Sequence, residues 1–139
     1  MTEEQIIQIL SQVPYAKTLG VEPNLVGEEL TLILPFSEDN IGNPFLPAIH
    51  GGVIGGFMEI AAITQIFFES PPKHVPKPIG INVDYLRSGK PLDLYARAEI
   101  TKLGSRVANV YVRAWQSNYD TPIATLHGHF LLASDKEKA

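Results

Sequence analysis

The stretch NPFLPAIHGGVIGGFMEIAA, Asn43–Ala62, decides how the rest of the chain is read. After NPFLPAI, a histidine and two glycines open what reads as a helix, small and apolar residues follow without a proline, and one acid, Glu59, stands among them. From about Gly51 to Ser70 the segment is long enough to be the main helix of a small domain. SPPKHVPKP, with four prolines, stops it. At about 3.6 residues per turn, Gly52, Gly55, Gly56, Glu59, Ala62 and Ile63 share one helix face. Glycine inside a helix is unfavourable by about 1 kcal/mol relative to alanine. Two together at Gly55 and Gly56 therefore predict that another backbone or a ligand comes close.

Working outward, TEEQIIQILSQV reads as a short N-terminal helix. Thr2 caps it, Glu3 and Glu4 favour its positive end, and Ile6, Ile7, Ile9 and Leu10 form an apolar side. Pro14 is expected to end it. From Leu19 to Pro35 the pattern turns extended, with GVEPNLV and EELTLILPF parted by Gly27. Leu30, Leu32 and Leu34 alternate with Thr31 and Ile33, the mark of a strand with one face more buried. SEDNIGNPFLPAI is loop-like in composition.

After the prolines, IGINVDYLR, DLYARAEITKL, RVANVYVRAWQ and PIATLHGHFLL are strand-length, separated by the turn residues SGKP, GS and SNYDT. In the third of these, Ala108, Val110, Val112 and Ala114 lie on one face, and Asn109, Tyr111, Arg113 and Trp115 on the other. The order is helix, two strands, long helix, four strands. That predicts an α+β fold, an antiparallel sheet packed on one central helix, with residues 1–139 as one domain.

The chain has 139 residues, 45% of them hydrophobic and 19% charged, which suits a globular core and not disorder. A net charge of −4 with no Lys/Arg cluster argues against nucleic acid. The absence of cysteine excludes disulfides, thiolate metal sites and a cysteine nucleophile. The acidic N-terminus lacks a signal-peptide core, and acid and polar residues interrupt the longest apolar run. A soluble, cytoplasmic protein without a membrane partner is expected.

A mid-helix glutamate usually pairs with a lysine or arginine or lies at a solvated edge. The neighbouring HGG, His50–Gly52, suggests more. Glycines at a helix start leave N–H groups free and unshielded at the positive end of the dipole, where they can bind a developing oxyanion. A carboxylate and an oxyanion donor are the minimum set for attacking a carbonyl. On one helix, however, Gly51 and Glu59 stand about 12 Å apart at 1.5 Å per residue. One carbonyl cannot reach both. If they cooperate, they come from two chains whose helices run antiparallel, which predicts a two-fold dimer with a site at each end of its interface.

HGG with an acid nine residues after the histidine, the element order, and VDYLRSG at Val83–Gly89 resemble the hotdog-fold thioesterases. The match is to the phenylacetate-pathway-like and 4-hydroxybenzoyl-CoA thioesterase-like branch, over nearly the whole chain. The resemblance implies a sheet wrapped around the central helix and an acyl-CoA substrate. It implies that Gly51 donates its N–H to the thioester carbonyl and that Glu59 of the partner subunit acts as nucleophile or as base for water. Coenzyme A is then part of the substrate, and no separate cofactor or metal is required. A homodimer is implied, or a tetramer built from two.

The chain departs from the family in two places. An Asn or Gln often stands six residues before the histidine, where this chain has Pro44, so Asn43 beside it becomes the candidate. The family's Thr or Ser four residues after the acid is Ile63 here, with Thr64 adjacent. Gly52, Gly55, Gly56, Ile63, Thr64 and Arg87 are the candidate substrate contacts. His50 is read as a residue that orients the loop, with a role as base as the alternative. Lys90 and Arg106 could meet coenzyme A phosphates or be solvated charges near turns. His127 and His129 lie two apart on one strand face, too few for a metal site. Trp115 and Phe57 are assigned to core or interface.

Two rival functions stay open. A hotdog dehydratase or hydratase would place a histidine well upstream of the glutamate, where this chain has Phe45. A non-catalytic acyl-CoA binder would need neither Glu59 nor a positioned water. The expected activity is hydrolysis of an aromatic or medium-length acyl thioester.

Overall fold

The computed structural model describes residues 1–132. Helix α1 runs Glu3–Ser11 and is closed by a reciprocal cap. The Thr2 hydroxyl accepts from the Gln5 N–H, and the Gln5 side chain accepts from the Thr2 N–H. Ile6, Ile9 and Leu10 are buried while Ile7 is exposed, so the apolar side is narrower than expected.

A second helix, α2 (Pro14–Leu19), occupies residues expected to break helix and turn extended. Pro14 does stop α1, but it sits in the first turn of α2, where its missing N–H has no helical partner to lose. Gly20, at φ 72°, then closes α2 in the left-handed conformation that glycine tolerates best.

Strands β1 (Glu22–Val26) and β2 (Glu29–Leu34) form a hairpin. The proline- and glycine-rich stretch expected to be loop folds into a 3₁₀ turn, Glu38–Asn40, and a small hairpin of β3 (Ile41–Asn43) and β4 (Ala48–Ile49). Helix α3 follows at Gly51–Glu69. The remaining strands are β5 (Lys77–Tyr85), β6 (Leu94–Leu103), β7 (Val107–Trp115) and β8 (Ala124–Leu131). Six strands join in one antiparallel sheet of order β1-β2-β6-β7-β8-β5.

The inner face of that sheet is the one that alternation predicts. Leu30, Leu32 and Leu34 of β2 and Ala108, Val110, Val112 and Ala114 of β7 are all buried. They meet Ile54, Phe57, Met58 and the unbroken buried run Ile60–Phe67 of α3. By length and hydropathy alone α3 could cross a bilayer, and the sheet around it supplies the apolar surroundings it needs. A sheet curled round one central helix is the hotdog arrangement. On the outer face Trp115 stacks on Tyr95, with the Arg97 guanidinium 5.1 Å from its ring.

The buried side of α3 carries the stability. Phe57→Ala, at a fully buried site, is expected to lower unfolding free energy by about 3–5 kcal/mol in urea titration. Ile7→Ala on exposed α1 should change it by less than about 1 kcal/mol.

Candidate active site

His50 is the N-cap of α3. Its Nδ1 accepts the Gly52 N–H at 2.9 Å, and its carbonyl accepts from Val53 and Ile54. Its own N–H donates to the Asn40 carbonyl at 2.8 Å, tying the cap to the 3₁₀ turn. A Cβ at Gly52 would meet the imidazole at 2.9 Å, and one at Gly42 would meet His50 backbone at 2.9 Å. Glycines on both sides thus make room for a histidine folded back on its own helix. The contact makes His50 the helix cap, with one ring nitrogen committed to the Gly52 N–H.

The Gly51 N–H takes no acceptor among the described residues. The Gly51 carbonyl accepts the Tyr85 hydroxyl at 2.7 Å. Tyr85, at the end of β5, lays its ring edge 3.4 Å from where a Gly51 Cβ would be, and its hydroxyl at the same distance from a Gly55 Cβ. Gly51 and Tyr85 line an open cleft of about 470 Å3 together with Ile49, Ile54, Leu86 and Arg87. Tyr85, Arg87 and Ser88 bring polar groups to its lining, and Ile49, Ile54 and Leu86 apolar ones.

Glu59 lies two turns further along α3 and is half-buried. Among the described residues no basic side chain pairs with it, and burial alone raises its carboxyl above the ordinary glutamate range. The pairing with a lysine or arginine that usually accounts for a mid-helix glutamate is absent among the described residues.

At Gly55 and Gly56 the chain itself supplies close neighbours. The neighbours that come close are aromatic rings of the same chain. A Gly56 Cβ would meet the Tyr15 ring of α2 at 2.7 Å, and Gly55 faces Tyr85 and Val83. Gly56 serves packing inside the protomer, because the Tyr15 ring lies against helix backbone only where no Cβ intervenes, whereas a Cβ at Gly55 would meet ordinary contacts.

The other candidates fall in different places. Asn43 is exposed, and its Oδ1 accepts the Phe45 N–H at 3.0 Å, shaping the β3–β4 turn. Ile63 and Thr64 are in the core, and the Thr64 hydroxyl donates to the Ile60 carbonyl at 2.7 Å. Neither lines the Gly51 cleft. Arg87 does, while its guanidinium donates to the Pro122 carbonyl. Lys90 joins the Gln116 side chain through its backbone at both N–H and carbonyl.

His127 packs on Tyr111, and His129 Nδ1 lies 2.6 Å from Asn109 Oδ1, both on the outer face. Among the described residues no three His, Asp or Glu side chains converge as a metal site. Tyr85 and Tyr15 are the residues that sequence reasoning missed. VDYLR held a signal for the first, an aromatic at a strand end, but its partner Gly51 lies 34 positions away.

Comparison with known proteins agrees with this architecture. No curated protein matches the chain significantly. A protein of known structure from Chromobacterium violaceum is 38% identical, over 95% of this chain and 92% of that one, with a TM-score of 0.74. Two more distant structures share the fold. Thioesterase superfamily member 2 from Mus musculus is 16% identical, over 96% of this chain and 100% of its own, with a TM-score of 0.77. A phenylacetic acid degradation-related protein from Ralstonia eutropha is 19% identical, over 91% and 98%, with a TM-score of 0.76. The thioesterase superfamily model matches residues 46–123, more than half of the chain and all of α3, and by that match this chain belongs to the thioesterase superfamily.

Proposed function

We propose that the protein is an acyl-CoA thioesterase whose sites are shared between two subunits. The observation that carries this reading is Glu59, a half-buried acid with no cationic partner among the described residues, on the helix whose first N–H, at Gly51, has no acceptor among them. The Gly51 N–H polarises the thioester carbonyl. Glu59 of the partner subunit then activates water, or attacks the acyl carbon itself and is freed by hydrolysis. A raised carboxyl pKa suits a base, because it moves the group toward the working pH. Ile49, Ile54 and Leu86 beside Gly51 favour an aromatic or medium-length acyl group.

The dimer follows from the separation along α3, about 12 Å, and from β5. This strand closes one edge of the sheet and hydrogen-bonds only to β8. It presents Ile79 and Ile81 at 59% and 39% exposure, unusual for a nine-residue edge strand left to solvent. Within the protomer α3 runs antiparallel to β5, since Tyr85 lies over Gly51 and Val83 over Gly55. Antiparallel pairing of β5 with its copy would therefore set the two α3 helices antiparallel. That is the arrangement a shared site needs.

Thiol release from a panel of acyl- and aroyl-CoAs is the direct test. Glu59→Gln should lower kcat by about a hundredfold or more while binding is kept. Binding of thioesters without turnover by the wild type would sink the proposal. Mixing Glu59→Gln with Gly51→Pro, which removes the donor at a helix position that accepts proline, should restore activity. Random mixing gives half heterodimers, each with one intact site, so recovery should approach about a quarter of wild type. No recovery would mean that each site lies within one chain.

The acid also predicts a pH signature. Its folded-state pKa is raised, so its contribution to stability is full below the unfolded value, about 4.3, and is lost as pH rises through the folded value. Glu59→Gln should therefore resist urea better than wild type at pH 7, with the difference shrinking in acid. In wild type kcat/KM should rise with pH through the same raised pKa.

A further inference from the structure

The peptide group between Gly51 and Gly52 is held at both ends by side chains from different parts of the fold. Its carbonyl accepts the Tyr85 hydroxyl at 2.7 Å, and its N–H donates to His50 Nδ1 at 2.9 Å. The preceding peptide, between His50 and Gly51, is held on its carbonyl side by Val53 and Ile54, which leaves the Gly51 N–H as its free end. Gly51 is thus the joint between two fixed planes.

That joint is soft by composition. Four of the first six residues of α3 are glycine, Gly51, Gly52, Gly55 and Gly56, and glycine restricts φ and ψ least of all residues. A frayed first turn would let the Gly51 N–H wander, and a donor stabilises an oxyanion only if its aim is set before charge develops. Gly52 cannot simply be replaced to stiffen the turn, because a Cβ there would strike the His50 imidazole at 2.9 Å.

We infer that Tyr85 is a positioning residue, whose hydroxyl clamps the Gly51–Gly52 peptide and so aims the free Gly51 N–H into the cleft. The clamp lies within one protomer and does not depend on how copies assemble. It rests on the reading of Gly51 as the donor that polarises the thioester carbonyl. Tyr85 is half exposed and lines the same cleft, so it could also touch the acyl group as a wall. The two roles separate cleanly, since the ring makes the wall and the hydroxyl makes the clamp.

Tyr85→Phe keeps the ring over Gly51 and Gly55 and removes only the hydroxyl. On the best thioester of the panel, kcat should fall about tenfold with KM within about twofold, the loss of one hydrogen bond felt mainly in the transition state. Unchanged kcat, with or without a raised KM, overturns the inference. If the wild type hydrolyses no thioester, the functional reading has failed, and amide hydrogen exchange then judges the clamp. The Gly52 N–H should exchange at least about threefold faster in Tyr85→Phe, with the buried amides of Ile60–Phe67 unchanged. Equal Gly52 exchange in the two proteins overturns it on that arm.

Discussion

The structure depends on one constraint: α3 is apolar on nearly every side and has no face to offer water. A single flat sheet would cover one stripe of such a helix. Here six antiparallel strands curve round it, and from Ile60 to Phe67 every residue is buried. Small alanines at 96, 108, 114 and 124 on the inner face let the sheet come close, and the leucines of β2 fill the flank. The N-terminal half of α3 is the exception. There glycines replace large side chains, and the helix surfaces beside Tyr15 and Tyr85.

That exception sets what the helix start exposes. A helix start rich in glycine leaves donors uncovered, and its dipole favours negative charge beside them. His50 uses one of these donors for the cap and leaves its neighbour at Gly51 open. Two turns on, the helix passes toward the core, and burial raises the Glu59 pKa with no cation beside it among the described residues. Donor and acid are thus placed by the same gradient along one helix, from surface to core. Their separation follows from helix geometry.

Much of this could be read from local pattern. The bounds of α3, the Thr2 cap, and the inward faces of β2 and β7 each follow from period, cap or breaker residues within a few positions. HGG pointed to the helix start, and Glu59 stood out by its type among apolar neighbours. Pro14 misled, because proline both ends one helix and begins another, and only the residues after it tell which. The hairpin at Ile41–Ile49 is too short for alternation to be seen. Asn43 and Thr64 have the right chemistry for a site, but their oxygens are engaged within their own turn and helix.

By itself, then, the sequence determined the long helices and strands outside Pro14–Leu19 and the short β3–β4 hairpin, which faces are apolar, and that the free donor and the acid lie too far apart on α3 to share one carbonyl. Each of these rests on spacing along the chain, where backbone geometry fixes distance. Only the tertiary structure decided what lies against the glycines, that β5 stands at one edge of the sheet, and that Glu59 is half-buried with no cation beside it among the described residues. Tyr15 and Tyr85 reach α3 from elements far apart in sequence, and β5 lies outermost because β8 pairs with it from the other side. Such contacts are set by how whole layers pack, and local periodicity records that a face is buried without recording what buries it.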